Sequence, residues 1–205
     1  MMAPGRPVAA PGIVSAGVAP VALIGGFTVA ALAYPGGFDS SHGTISALAA
    51  VGSPVRALMT AALLITGACH LVTAASLRAL RPASRATLAV GGAATIAVAA
   101  FPLAVDGRSA AHAAAAAVAF LALSIWPALI RARTGALPPL LRPTVTRGVA
   151  LVLTAMALAF FVLVAGDATS LPLGTLERVL AGAQALVPLV VVLALVTTPA
   201  RTEAP

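Results

Sequence analysis

Residues 148–165 read GVALVLTAMALAFFVLVA and contain no charged side chain. A helix needs roughly 17–25 mostly apolar residues to cross the hydrocarbon core of a bilayer, so this run predicts a transmembrane helix. Five more runs of comparable length recur along the chain. Together they predict six membrane-spanning helices, at 13–33, 54–77, 87–103, 109–130, 148–165 and 176–197.

The composition agrees with a protein built almost entirely of such helices. The chain has 205 residues, of which 60% are hydrophobic and only 8% are charged, and its mean hydropathy is +1.07. A soluble domain carries about a quarter charged residues. We therefore predict an all-α polytopic transmembrane bundle with short loops, comprising one domain at 13–197 between short tails at 1–12 and 198–205.

The first run also has features of a secretory signal peptide. Arg6 precedes the apolar residues, and Ala31-Leu32-Ala33 matches a small-residue cleavage pattern. However, the apolar run at 13–33 is longer than the ~7–15 residues of a signal-peptide core. The length favours a retained first helix.

Charged residues fall on two sides of the predicted bundle. Arginines concentrate on the cytoplasmic side of membrane proteins, so we expect both termini to be cytoplasmic and the acidic loops to face out. Tyr34 and Trp126 fall near opposite membrane interfaces, as an aromatic belt predicts. The arginine-rich side has Arg6, Arg78, Arg81, Arg85, Arg131, Arg133, Arg142, Arg147 and Arg201; the other side has Arg56, Arg108, Arg178, Asp39, Asp106, Asp167 and Glu177.

The net charge of +7 is explained by this distribution, so we do not predict a nucleic-acid partner. Membrane lipids are the expected partners, and the oligomeric state is left open. All the basic residues are arginine, and Ala, Gly and Pro are abundant. That composition is typical of a GC-rich bacterial genome and predicts a location in the inner (plasma) membrane.

The loop at 34–53 has the most pronounced turn and helix signals. Tyr34-Pro35-Gly36-Gly37 ends the first helix, because proline cannot continue it. Residues 44–51 predict a short amphipathic helix closed by Gly52. Ser53-Pro54 then predicts the start of the second long helix, with serine as the cap and proline at the first position.

The standard catalytic and nucleotide-binding motifs are absent from the sequence. Cys69 is the one cysteine, which excludes an internal disulfide. His70 lies well inside the second predicted span, where an ionisable group is costly. It cannot share a haem iron with His112, which opens the fourth span. The favoured interpretation is a neutral imidazole hydrogen-bonded to a neighbour such as Thr66 or Thr73.

The acidic side holds the candidate site. Carboxylates and imidazoles are suitable ligands for zinc or a similar divalent ion, with His42, His112, Asp39 and Asp106 as the candidate ligands. The competing interpretation is structural: Asp106 or Ser109 caps a helix, and the three outer arginines form ion pairs with the acids. The candidate polar or ligand-binding residues are Asp39, His42, Asp106, His112, Asp167, Glu177 and Arg178.

Several of these residues lie in motifs that resemble a known family. FDSSHGTISAL at 38–48, with Gly52-Ser53-Pro54 after it, is similar to the first loop of the six-helix prokaryotic membrane proteins catalogued as domain of unknown function 998. Phe101-Pro102 with Asp106 and His112, and GTLER at 174–178, follow in the right order. The family usually has an acid where this chain has Ala47. The resemblance implies six helices and no established activity.

These observations leave three functions open. The first is binding of a lipid headgroup or another polar or ionic ligand at the outer rim. The second is a membrane-embedded, metal-dependent hydrolase that uses the His/Asp cluster. The third is a small transporter, which ranks lower because charged groups within the spans are scarce. No cofactor is established by the sequence, and whether the protein is an enzyme is left open.

Overall fold

The computed structural model describes residues 8–166 and 170–197, and these residues are almost entirely helical. Two 3₁₀ turns, at Trp126–Leu129 and Pro139–Leu141, lie between the fifth and sixth α-helices. The described ranges contain no strand. The α-helices are α1 (Ala10–Leu32), α2 (Ile45–Leu48), α3 (Arg56–Ser76), α4 (Pro82–Ala100), α5 (Ala110–Ile125), α6 (Pro143–Ala165) and α7 (Leu173–Thr197).

The six long helices confirm the predicted spans, since all six are long and apolar enough to cross a membrane. Two predicted starts were wrong by five residues: α4 begins at Pro82 rather than 87, and α6 at Pro143 rather than 148. Proline is well tolerated in the first turn of a helix. The turns that follow contain arginine, so hydropathy marked only the apolar part of each helix.

The predicted start of α3 was also wrong. Ser53 does not cap the helix, which begins at Arg56 after Val55, a residue without a side-chain cap. The Arg56 N–H donates to the Ser53 carbonyl (3.2 Å), so this segment forms a turn ahead of the helix. The predicted short helix of the preceding loop is confirmed as α2, and Gly52 follows it with φ +86°.

The long helices form a closed ring in the order α1, α3, α4, α5, α6, α7, with α7 packed against α1. α6 is the least buried of them: 22% of its most apolar window is buried, against 56% for α7. Its outward side exposes large apolar residues such as Val152 and Val162. Such a surface suits contact with lipid, and the chain is a multi-pass membrane protein.

α3 and α4 approach each other closely because glycine lies on both sides of their contact. A β-carbon on Gly67 would lie 2.6 Å from the Gly92 carbonyl oxygen, and one on Gly92 would lie 2.8 Å from that of Gly67. Small residues allow transmembrane helices to pack backbone against backbone. Any larger side chain at either position would force the two helices apart.

The two ends of the ring differ in charge. We call the end with Asp39, Asp106 and Glu177 the acidic face, and the end with Arg81 and Arg142 the arginine face. The two largest apolar cores lie between them, one nearer each end, and a smaller one joins α6 to α7. Trp126 is fully buried in the core nearer the arginine face, so its ring packs between helices and does not face outward. Its position near a membrane interface stays a prediction.

Some predicted features lie outside the described residues. These are the tails at 1–7 and 198–205, with Arg6 and Arg201, and the acid Asp167. Which face is cytoplasmic stays a prediction.

Candidate functional site

Asp39 and His42 form an exposed pair in the loop between α1 and α2. The Asp39 Oδ2 atom lies 2.8 Å from His42 Nδ1, and Oδ1 accepts the Ser41 N–H at 2.9 Å. The hydrogen bond with the His42 side chain and that from the Ser41 backbone lower the pKa of Asp39 below its ordinary 3.8. This pair is the one ion pair that the described residues contain.

Asp106 shapes a turn at the same end of the molecule. Its Oδ1 accepts the N–H of Arg108 at 3.0 Å. The helix cap comes instead from Ser109, whose Oγ accepts the N–H of His112 at 3.2 Å. Of the two capping residues considered from the sequence, Ser109 is therefore the one that caps α5.

His112 and Glu177 lie on different helices and are bridged by Ser46 of α2. The His112 Nε2 atom lies 3.1 Å from Ser46 Oγ, which lies 3.1 Å from Glu177 Oε1. The Ile45 N–H donates to Glu177 Oε2. His112 and Glu177 are only 4% and 2% exposed. One serine thus connects α5 with α7 through a buried chain of polar groups.

The hydrogens shared by His112, Ser46 and Glu177 can be counted. The carbonyl of Phe101, 2.9 Å from His112 Nδ1, can only accept, so Nδ1 carries a hydrogen. If Ser46 donates to the Glu177 carboxylate, Nε2 must donate to Ser46, and the imidazole is doubly protonated. If Glu177 carries the proton instead, it donates to Ser46, which donates to Nε2. Each arrangement satisfies all three contacts and contains the same number of protons.

Arg178 attaches the first loop to α7. Its Nη1 donates to the carbonyls of Ser40 (2.7 Å) and Gly43 (2.7 Å), and to that of Gly174 in its own helix (3.0 Å). The loop can come this close because Gly174 has no side chain: a β-carbon there would collide with the Gly43 carbonyl oxygen. The N–H of Thr175 also donates to the loop.

Of the ion pairs expected between the outer arginines and the acids, none joins Arg178 to Asp39 in the described structure, and a pair with Asp167 lies outside the described residues. The guanidinium carbon instead lies 5.6 Å from the Phe27 ring centroid and 5.7 Å from that of Phe38. These distances fit cation–π contact. Arg178 is thus held by carbonyl oxygens and two aromatic rings, and Glu177 has no arginine partner within ion-pair distance in the described structure.

A cavity of about 60 Å³ lies inside the ring, between α1, α3, α4, α5 and α7. Ser46 and Glu177 line its end at the acidic face. Its other walls are mostly apolar, with four polar side chains among them: Thr66, Thr95, Gln184 and His70.

His70 has a different environment from the predicted one. Its Nδ1 atom is buried and has no hydrogen-bond partner among the described residues. Thr66 donates to the Ala62 carbonyl (2.7 Å) and Thr73 bonds to Ser15 (2.8 Å), so neither threonine serves the imidazole. The predicted hydrogen bond of His70 to either of them was wrong. Instead, His70 lines the cavity.

Gln184 was missed in the sequence, although a signal for it existed. It follows Glu177 by seven residues, two helical turns, and is therefore on the same side of α7. Its amide donates to the Phe120 carbonyl and to Ser124 Oγ, both at 2.8 Å. A lone amide two turns from a lone acid in an apolar helix would have indicated a polar wall.

The residues predicted as metal ligands do not assemble in the part of the chain described by the structure. No group of three or more His, Cys, Asp or Glu side chains there is placed to hold a metal ion. His42 bonds to Asp39, whereas His112 bonds to Phe101 and Ser46. Asp167 lies outside the described residues, so a metal site that includes it stays a prediction.

Comparison with known proteins identifies a family but no activity for the chain. The family model described as "Protein of unknown function (DUF998)" matches residues 17–194. No curated protein matches the chain, and no solved structure matches it. The match covers all six long helices in whole or in large part. The chain therefore belongs to the DUF998 family of proteins of unknown function.

Proposed function

We propose that the protein binds a small polar group with a positive charge at the acidic end of its internal cavity. One observation carries the proposal: the buried carboxyl group of Glu177 lines this cavity, and no basic side chain lies within ion-pair distance of it in the described structure. When Glu177 is ionised, the balancing charge in its series of hydrogen bonds is the His112 imidazolium, which lies beyond Ser46. A buried charge is better stabilised by a partner in direct contact, and a cationic ligand in the cavity supplies that contact.

The Glu177 carboxylate can accept more hydrogen bonds than it receives from the protein, which supports the same conclusion. It accepts hydrogen bonds from the Ile45 N–H and the Ser46 hydroxyl. A carboxylate has about four acceptor positions, so about two are left. A cavity needs roughly 10–15 Å³ to hold one water, so a cavity of about 60 Å³ has room for a small polar ligand or a few waters. An ammonium group, on a lipid headgroup or on a free amine, fits these limits.

Thermal unfolding with and without ethanolamine tests the proposal, since a ligand that binds the folded state raises the unfolding temperature. We expect ethanolamine to stabilise the wild-type chain and not Glu177→Gln, which removes the charge with little change in volume. Asp106→Asn is the matched control, because it removes an exposed acid of the same face. Equal stabilisation of wild type and Glu177→Gln would refute the proposal.

A small transporter is the second candidate, and the position of His70 favours it. The cavity lined by Glu177 at the acidic face also reaches His70 deep in α3. Beyond it lies the apolar core at the arginine face, which closes the route. Amine uptake into proteoliposomes that is lost in both Glu177→Gln and His70→Ala would support transport. Binding without uptake would exclude it.

We also propose that the arginine face is cytoplasmic and that the membrane is the plasma membrane of a bacterium. The nine-to-three division of arginines supports the orientation, and the lysine-free, arginine-rich composition supports a bacterial source. The substitution Ser41→Cys, made together with Cys69→Ser, tests the orientation. An impermeant thiol reagent added to intact cells should label it; labelling only after lysis would reverse the topology.

A further inference from the structure

The arginine face contains an open cleft of about 540 Å³ whose lining includes three arginines. Arg81 precedes α4, Arg131 follows the 3₁₀ turn after α5, and Arg142 precedes α6. The other lining residues are Ala132, Gly135, Leu137 and Pro143. The cleft is within the roughly 300–1,000 Å³ range of small-molecule sites.

Backbone contacts bring two of these arginines together. The Arg81 N–H donates to the Arg131 carbonyl (2.9 Å), next to an isolated bridge between Leu80 and Ala132. The Arg131 Nη1 donates to the Ile130 carbonyl (2.6 Å), which fixes its side chain. The guanidinium groups of Arg81 and Arg142 make no hydrogen bond or ion pair within the described structure. Their donors are free for a ligand.

The described part of the chain contains no acid that neutralises this charge. The three acids in the described ranges, Asp39, Asp106 and Glu177, all lie at the opposite face, and the one ion pair found there joins Asp39 to a histidine. Two helices add positive potential, because α4 and α6 both begin at the cleft, without side-chain caps. The unpaired N–H groups at a helix N-terminus attract anions.

We propose that this cleft binds a phosphate group, carried either by an anionic lipid or by a soluble phosphate ester. The planar guanidinium fork matches two phosphate oxygens at once, which favours phosphate over a spherical anion. Apolar side chains close to the arginines could contact the rest of such a ligand. Leu137 lines the cleft, and its neighbours in sequence Leu140 and Val145 are 51% and 40% exposed. This site is separate from the cavity at the acidic face and does not depend on the function proposed there.

Two probes distinguish the sources of phosphate. The purified full chain is reconstituted in phosphatidylcholine nanodiscs and titrated either with phosphatidylglycerol or with glycerol 3-phosphate. One equivalent of phosphatidylglycerol bound, with glycerol 3-phosphate much weaker, identifies a lipid. Equal binding of both identifies a soluble ester. Binding of neither overturns the proposal.

Matched variants test whether the cleft itself is responsible. Arg81→Gln and Arg142→Gln should each weaken binding about fivefold, as expected for one arginine at an anionic surface. Arg78→Gln and Arg147→Gln remove the same charge from exposed positions on the same face outside the cleft, and should change affinity less than about twofold. Equal losses in both sets would show a diffuse surface potential and overturn the site.

The variant Arg81→Lys distinguishes the contribution of the guanidinium geometry from that of the positive charge. It retains the positive charge and should fold like the wild type, but lysine binds phosphate as a point charge. We expect an affinity between those of the wild type and Arg81→Gln. Wild-type affinity in Arg81→Lys combined with wild-type affinity in Arg81→Gln would exclude this residue and overturn the proposed geometry.

Discussion

Replacing Arg178 with alanine should destabilise the protein more than any other arginine substitution at the acidic face. Its Nη1 lies within 2.7–3.0 Å of three carbonyl oxygens. The nitrogen has two hydrogens, so it fully satisfies two acceptors at a time. Hydrogen bonds to charged groups contribute about 1.5–3 kcal/mol each. Because the side chain is only partly buried and water can replace some of this, the lower end applies, about 3 kcal/mol.

The cation–π contacts with Phe27 and Phe38 add about 0.5–1 kcal/mol each. The expected loss is then about 4–5 kcal/mol in the free energy of unfolding. For a chain of this size each kcal/mol shifts the unfolding temperature by about 2–4 °C. We therefore expect Arg178→Ala to unfold at least about 8 °C below the wild type.

The fluorescence of Trp126 provides the assay, because it is the chain's one tryptophan and is fully buried near the arginine face, away from the substitution. Unfolding is followed in a fixed detergent for the full chain. Arg108→Ala is the control, since its exposed side chain makes no hydrogen bond in the described structure. If Arg178→Ala and Arg108→Ala unfold within about 2 °C of each other, less than 1 kcal/mol of stability depends on Arg178, and the reasoning fails.

Three further predictions concern other parts of the ring. Gly67→Ala should lower the free energy of unfolding by about 1–3 kcal/mol, because the new methyl group overpacks against α4. Gly148→Ala, whose β-carbon meets nothing within 4 Å, should raise it by up to about 1 kcal/mol. Equal effects of the two substitutions in thermal unfolding would contradict this. Because hydrogen bonds lower the pKa of Asp39 below 3.8, its contribution to stability is present above that pH and is lost as the pH falls through the folded pKa. The gap in unfolding temperature between wild type and Asp39→Asn should therefore narrow on acidification as the pH falls through the folded pKa of Asp39, and a gap that widens there would contradict the sign. Ser46→Ala and Glu177→Gln should show a coupling of about 0.5–3 kcal/mol in a double-mutant cycle, and simple additivity would argue against a shared chain of hydrogen bonds.

Much of the fold could be predicted from the sequence because one physical quantity determines it. Apolar length predicts membrane spans, and all six were found. What hydropathy could not show is where a helix extends past its apolar part: α4 and α6 each start five residues early, with proline and arginine in the first turns. The burial of Trp126 likewise depends on packing between helices, which composition does not indicate.

The candidate site was predictable only where its contacts are local. Asp39 and His42 lie three residues apart, and their pairing follows from that spacing. Ser46 and Glu177 are 131 residues apart, and the link between them requires knowledge of which helices are neighbours in the ring. The sequence therefore identified His112 and Glu177 as candidates and placed the hydroxyl of Ser46 beside them, but it did not show that Ser46 joins the two or that a cavity lies beneath.

The attachment of the first loop to α7 has a consequence for how the protein is made. Ser40, Gly43 and Ser46 leave the ribosome more than 120 residues before Glu177 and Arg178 do, yet the carbonyls of the first two and the hydroxyl of the third bond to those two side chains. The ring is open until α7, the last described helix, inserts between α6 and α1. A stalled or truncated chain would therefore present an open seam in the bilayer, with unmatched carbonyls and a polar wall exposed to lipid. The ring is therefore sealed only when α7 inserts, however much of the bundle has already packed.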